Sequence, residues 1–233
     1  MESSEYKRGY PRLAGEKLVI PHNADGSLDL EFYSIAEKLD EKLKHIPGYV
    51  GLTSVGSRTR GYAEKDSDFD IVVFYDNSKY DTADGTKDLR TGISASIEIL
   101  KRTQKVDIDL VALIDLDSYY VHSDFKQLLR SKHDTSTLGA VRLGFLFSQT
   151  AIGHGIDEYR SRIARELENV PGTSKSELIR LLAEAVVGVE KAYGNERKAY
   201  NRLRVSKKTS SSLRAERLKN WEQQISESVR LYS

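Results

Sequence analysis

The tract "GSRTRGYAEKDSDFDIVVF", Gly56 to Phe74, constrains this chain more than any other. Asp68 and Asp70 stand immediately before Ile71, Val72, Val73 and Phe74, a run with the β-branched and aromatic character of a strand. Side chains alternate faces along a strand, so two carboxylates two residues apart point to the same side at its entry. They repel each other unless a cation lies between them. Hard oxygen ligands with no His or Cys nearby select Mg²⁺ or Mn²⁺ over zinc.

The start of the tract supplies the other half. Gly56 lets the backbone approach a ligand closely. A helix beginning at Ser57 would aim its free N–H groups and the Ser57 hydroxyl at an anion. Arg58 and Arg60 add positive charge beside it. The tract therefore reads as a phosphate cradle followed by a metal clamp, the chemistry of a nucleoside triphosphate. The plainer alternative is a polar loop ending at a strand, with Arg58 and Arg60 as surface charges. Asp66 reads as a loop or capping residue and Tyr62 as a packing residue.

"VDIDLVALI", Val106 to Ile114, predicts another strand. Its Asp107 and Asp109 share one face. Carboxylates inside an apolar strand are costly unless they bind something, although an edge strand with its polar face in water would also hold them. If this strand lies beside the one at Asp70, a third carboxylate reaches the same site. Three carboxylates can hold two metal ions roughly 4 Å apart, one activating an attacking hydroxyl and the other neutralising a leaving pyrophosphate.

The remaining pattern frames these tracts. Leu28, Phe32, Ile35, Leu39 and Leu43 predict a helix over Leu28–Ile46. Tyr49, Val50, Leu52 and Val55 predict a buried strand stopped by Gly56. Asn77–Asp88 reads as a polar loop, and Leu89–Thr103 as a helix. Helix, strand, strand, helix, strand argues for a mixed α/β unit with a small sheet. Ser136–Gly155 is ambiguous between strand and buried helix, with His154 as a turn residue between two glycines. Beyond it three helical stripes follow. They are Ile156, Tyr159, Ile163, Leu167 and Val170; then Leu178, Leu182, Ala185, Val189, Ala192 and Tyr193, opened by Ser174 as N-cap with Glu177 three residues on; then Leu218, Trp221, Ile225 and Val229. Ser206–Ser212 reads as the linker before the last helix. The expected fold is an α/β (α+β) head with a small mixed sheet over residues 1–131, followed by an α-helical C-terminal region over 132–233.

Gly56-Ser57, a ten-residue spacer, Asp68-Phe69-Asp70 with a hydrophobic strand, and a later carboxylate strand together resemble the polymerase-beta-type nucleotidyltransferase superfamily. "GSRTRGYAEKDSDFDIVV" is most similar to its minimal nucleotidyltransferase group, whose Ser is followed by an Arg-x-Arg-Gly run. The resemblance covers roughly Leu28 to Asp117. It implies that Gly56 and Ser57, with Arg58 and Arg60, bind the triphosphate. It implies Asp68, Asp70 and a third-strand carboxylate as catalytic metal ligands for two Mg²⁺ (or Mn²⁺) ions. Asp109 is the choice for the third because, as in the family, it directly precedes a pair of apolar residues, Leu110-Val111; Asp107 is the second choice. The implied reaction moves a nucleoside monophosphate from an NTP, with ATP favoured, to an acceptor hydroxyl and releases pyrophosphate.

Charge distribution bears on the acceptor. From Glu64 to Asp124 there are 14 acidic and 7 basic side chains, whereas Asn195–Asn220 holds nine Lys/Arg against Glu196 and Glu216. A basic segment at 197–219 suits an RNA end, since phosphate contacts supply much of nucleic-acid affinity; snorkelling basic residues on a solvated helix are the alternative. By the resemblance, a partner protein of antitoxin type or a small-molecule antibiotic are further acceptors, and a non-catalytic nucleotide- or RNA-binding module is the reading from a different class. No apolar run approaches 18 residues, so no membrane span is expected. The start "MESSEYKRGYPR" lacks the apolar core of a secretory leader. The absence of cysteine fits a reducing, cytoplasmic setting.

Overall fold

The computed structural model describes residues 30–56, 68–79, 85–117, 143–148, 150–170, 172–192 and 210–232. They fall into two compact units. The first holds the described residues from 30 to 117 together with Thr150–Ile156; the second holds residues 143–148 and those from Asp157 onward. The expected boundary between 131 and 132 lies outside the described residues.

The first unit is a small mixed sheet with two helices. Helix α1 (Leu30–Leu43) leads to strand β1 (Tyr49–Ser54) through a turn at Gly48, whose φ is 72°. Strand β2 (Phe69–Tyr75) runs antiparallel to β1, pairing Ser54 with Ile71 and Tyr49 with Tyr75. Helix α2 (Gly85–Gln104) carries the chain back to strand β3 (Ile108–Asp115), which pairs parallel with β2. The order is β1-β2-β3. A parallel neighbour needs a crossover, and α2 supplies it.

Several expected boundaries move. Helix α2 begins at Gly85, inside the expected polar loop, whose first residues form a 3₁₀ turn at Asn77–Lys79. The apolar period starts only at Leu89 because the residues that open α2, Gly85–Asp88, carry no apolar side chain. Strand β3 begins at Ile108, two residues later than expected. Lys105 is in the left-handed region at φ 55°, so the chain is still turning there.

Strand β2 is the hydrophobic centre. Phe69, Ile71, Val72, Val73 and Phe74 are all buried, as are Ile35, Leu39 and Leu43 of α1 and Leu89, Ile93 and Leu100 of α2. Each such side chain contributes about 1.5–3 kcal/mol of transfer free energy. The free edge of β1 is covered by Thr150–Ile156. Leu52 and Ile152 exchange two backbone hydrogen bonds of 2.8 Å, and the buried hydroxyls of Thr53 and Thr150 lie 2.8 Å apart. The approach is close because position 153 is glycine: the backbone of Val50 and Gly51 fills the space a Cβ would need, at φ 145°. The ambiguous tract at Ser136–Gly155 thus contains a helical turn at 143–146 and an isolated bridge at Ile152.

The second unit is helical: α3 (Ile156–Glu168, its first residue in the first unit), α4 (Lys175–Ala192) and α5 (Ser210–Tyr232). The Ser174 hydroxyl accepts the Glu177 N–H at 3.2 Å, as an N-cap should. The buried face of α4 is Leu178, Ile179, Leu182, Ala183, Val186 and Val187, with Ala185 only half-buried. Helix α5 starts at Ser210, so the last three residues of the expected linker are helical; serine alone does not stop a helix when the residues after it favour one. Trp221, Ile225 and Val229 are buried as expected, and Trp221 meets Phe145 edge-on at 6.2 Å.

One buried charge in this unit carried no sequence signal. Arg160 is fully buried; its Nε donates to the Leu146 carbonyl at 2.9 Å and its Nη2 to the Ser148 carbonyl at 2.6 Å. Tyr232 stacks its ring 5.5 Å from the guanidinium and donates its hydroxyl to Asp157 at 2.5 Å.

Candidate active site

Three chain segments meet at one end of the sheet. Because β1 and β2 are antiparallel, the end of β1 leads Val55 and Gly56 to the start of β2, where the Val55 N–H donates to the Asp70 carbonyl at 2.9 Å. Because β2 and β3 are parallel, their starts lie side by side: Asp70 is registered with Asp109, and the Phe69 N–H donates to the Asp107 carbonyl at 2.9 Å. The face that carries Asp70 continues with Val72 and Phe74, both buried, so the carboxylate stands at the mouth of an apolar face.

The result is a carboxylate cluster. Asp68, Asp70 and Asp109 each offer one oxygen, and these oxygens lie within 4.8 Å of one another. Asp68 and Asp70 are half-buried and Asp109 is exposed. In a Mg²⁺ octahedron ligand oxygens stand about 3 Å apart when adjacent and roughly 4.2 Å when opposite, so the cluster is on the scale of a site that would close around one ion. The donors are all hard oxygens, the kind that suits a divalent cation such as Mg²⁺, Mn²⁺ or Ca²⁺.

A bulge keeps this arrangement local. Between the pairs Ile71–Leu110 and Val72–Ala112, β3 carries one extra residue, Val111, which is 52% exposed. The bulge resets the alternation, so Asp109 and Ala112, three apart, both stand opposite residues of the Asp70 face.

Asp107 is placed differently from Asp109. Its carboxylate pairs with Lys101 in the last turn of α2 at 2.9 Å, and Lys101 Nζ is also 4.0 Å from Asp109. The hydrogen bond from Lys101 holds the Asp107 carboxyl below its ordinary range, and the same bond raises the Lys101 ammonium. Sequence reasoning missed Lys101; the only signal was a lysine a few residues before an acidic strand.

Gly56 lies against the cluster at φ 79°. The position a Cβ would take on it is filled by Oδ2 of Asp70. Ser57, Arg58 and Arg60, with Tyr62 and Asp66, lie outside the described residues.

Residues 34–143 match a family model described as a nucleotidyltransferase domain, just under half of the chain. The match supports the resemblance to the polymerase-beta-type nucleotidyltransferase superfamily. It also supports an enzyme of the nucleotidyltransferase class, which transfers nucleoside monophosphates. The matched span runs from within α1 through β3 and contains all three clustered carboxylates. Neither a curated protein nor a solved structure matches the chain. No helix among the described residues is long and apolar enough to cross a membrane.

Proposed function

We propose that this chain is a divalent-metal-dependent nucleotidyltransferase of the minimal type, working in the cytoplasm, that moves a nucleoside monophosphate, from ATP by preference, to a hydroxyl of RNA. The observation that carries the reading is the cluster of Asp68, Asp70 and Asp109, whose oxygens lie within 4.8 Å of one another beside Gly56.

Asp68 and Asp70 would hold two Mg²⁺ or Mn²⁺ ions, with Asp109 as the third ligand. Bound there, the ions supply charge neutralisation for the triphosphate and favour the ionised acceptor hydroxyl. Gly56, Ser57, Arg58 and Arg60 hold the triphosphate so that its α-phosphorus faces the acceptor. The acceptor hydroxyl loses its proton to solvent, its oxygen bonds to the α-phosphorus, and the bond from that phosphorus to the bridging oxygen breaks as pyrophosphate departs. The protein's part is positioning and fixed charge. The basic segment 197–219 carries the acceptor's phosphates.

The test is incubation of the whole chain with each α-labelled NTP, Mg²⁺ or Mn²⁺, and total RNA, reading pyrophosphate and labelled product beside an Asp68→Ala/Asp70→Ala variant. Label entering RNA with the wild type alone supports the reading and names the base. Label entering a protein or a small molecule instead replaces the acceptor. Nucleotide binding without pyrophosphate, against every acceptor pool, would turn the reading to a binding module.

A further inference from the structure

We propose that Lys101 is a built-in counter-charge that sets how tightly the carboxylate cluster holds a divalent cation, and that Asp107 restrains it. The proposal rests on the reading of Asp68, Asp70 and Asp109 as the cation site.

Lys101 Nζ lies 2.9 Å from Asp107 Oδ1 and 4.0 Å from Asp109 Oδ1. It is therefore shared between a carboxylate outside the cluster and one inside it, and it sits closer to the outer one. Only Lys105, Val106 and Asp107 separate α2 from β3, with Lys105 making the turn, so the relation of Lys101 to both carboxylates is fixed by a short connection. The Lys101 side chain is 29% exposed, against 68% for Asp107 and 57% for Asp109, so it is the most enclosed side chain of the trio.

An ammonium beside Asp109 acts on a divalent cation in two ways. It competes for the same carboxylate and it repels the incoming charge. Asp107 draws Lys101 away from Asp109 and offsets its charge. Losing Asp107 leaves Lys101 with Asp109 and the more remote Glu98 of α2 as its acidic neighbours. The two substitutions therefore act in opposite directions. Lys101→Met removes the competitor and tightens the site. Asp107→Asn releases the competitor onto Asp109 and weakens it. A pair that merely braces the α2–β3 junction would give the same sign for both.

The experiment titrates Mn²⁺ into the full chain and counts free ion by its paramagnetic resonance signal, for the wild type, Lys101→Met, Asp107→Asn, the double variant and Asp70→Asn. The expected result is Mn²⁺ affinity about two- to five-fold tighter in Lys101→Met and weaker by a similar factor in Asp107→Asn, the size expected of exposed charge pairs. The double variant should match Lys101→Met, because no ammonium remains to be released. Unchanged affinity in both single variants, or shifts of the same sign, would overturn the proposal while loss of binding in Asp70→Asn left the site reading intact. A wild type that binds no Mn²⁺, or an Asp70→Asn variant that binds as the wild type does, would remove the site reading and this proposal with it.

Discussion

Oδ2 of Asp70 occupies the position that a Cβ would take on Gly56. The glycine is thus shaped by the carboxylate beside it and by its own φ of 79°. Gly56→Ala should therefore act twice. It should cost about 1–2 kcal/mol of stability for an L-residue in the left-handed region, read by denaturant unfolding. It should also push Asp70 out of the cluster, so that Mn²⁺ binding falls further than the stability loss accounts for.

The cluster itself should show the opposite balance between stability and activity. Three carboxylates within 4.8 Å repel in the absence of a cation. Asp70→Asn should leave the metal-free fold as stable as the wild type or more so, by on the order of 0.5 kcal/mol. Nucleotide transfer should drop by more than about 100-fold, since residues that only orient metal ligands already cost about 10- to 100-fold. Thermal unfolding with and without Mg²⁺ separates the two effects: the ion should raise the wild-type midpoint and leave the variant's unmoved.

At the far end of β1, the Tyr49 hydroxyl donates to Asp40 at 2.7 Å, and the Tyr49 ring lies 5.8 Å from that of His154. Burial raises the Asp40 carboxyl above its ordinary 3.8, with the Tyr49 bond and the charge of His154 opposing. The folded protein then holds this proton more tightly than the unfolded chain. Its contribution to stability is full below pH 3.8 and is lost as pH rises through the raised value. Asp40→Asn should flatten that segment of the stability–pH profile. Tyr49→Phe should steepen it and cost about 1–2 kcal/mol near neutrality, because the carboxylate loses its donor. Denaturant titrations across the acid range check both.

Arg160 should be the most sensitive position of the helical unit. Replacing it with Met removes the donors to the Leu146 and Ser148 carbonyls and should cost about 3–5 kcal/mol. Arg160→Lys should not restore it, because one ammonium cannot reach both carbonyls in the fork geometry. Tyr232→Phe should cost under about 1 kcal/mol, since its bond to Asp157 is exposed. Urea unfolding of the three variants ranks them.

The site was legible where chemistry and local period coincide. Asp68 and Asp70 announce themselves because they stand two apart where β2 begins, and the run Ile71–Phe74 has the β-branched and aromatic character of a buried strand. The family resemblance favoured Asp109 over Asp107 through the apolar pair after it, yet its partnership with Asp70 depends on β3 lying parallel to β2. The start of α2 was hidden because a polar first turn has no period, and Ser210–Ser212 because small polar residues fit a linker and a helix start equally.

What the sequence by itself determined is the order of elements, the buried strand and the kind of chemistry its flanking carboxylates can do, because these follow from backbone periodicity and ligand hardness within a few residues. The tertiary structure decided which carboxylates meet, that Lys101 reaches between Asp107 and Asp109, that Gly56 makes room for Asp70, and that Arg160 is buried. Those relations depend on strand register and on side chains distant in sequence. Register is fixed by the whole core, so no local pattern contains it.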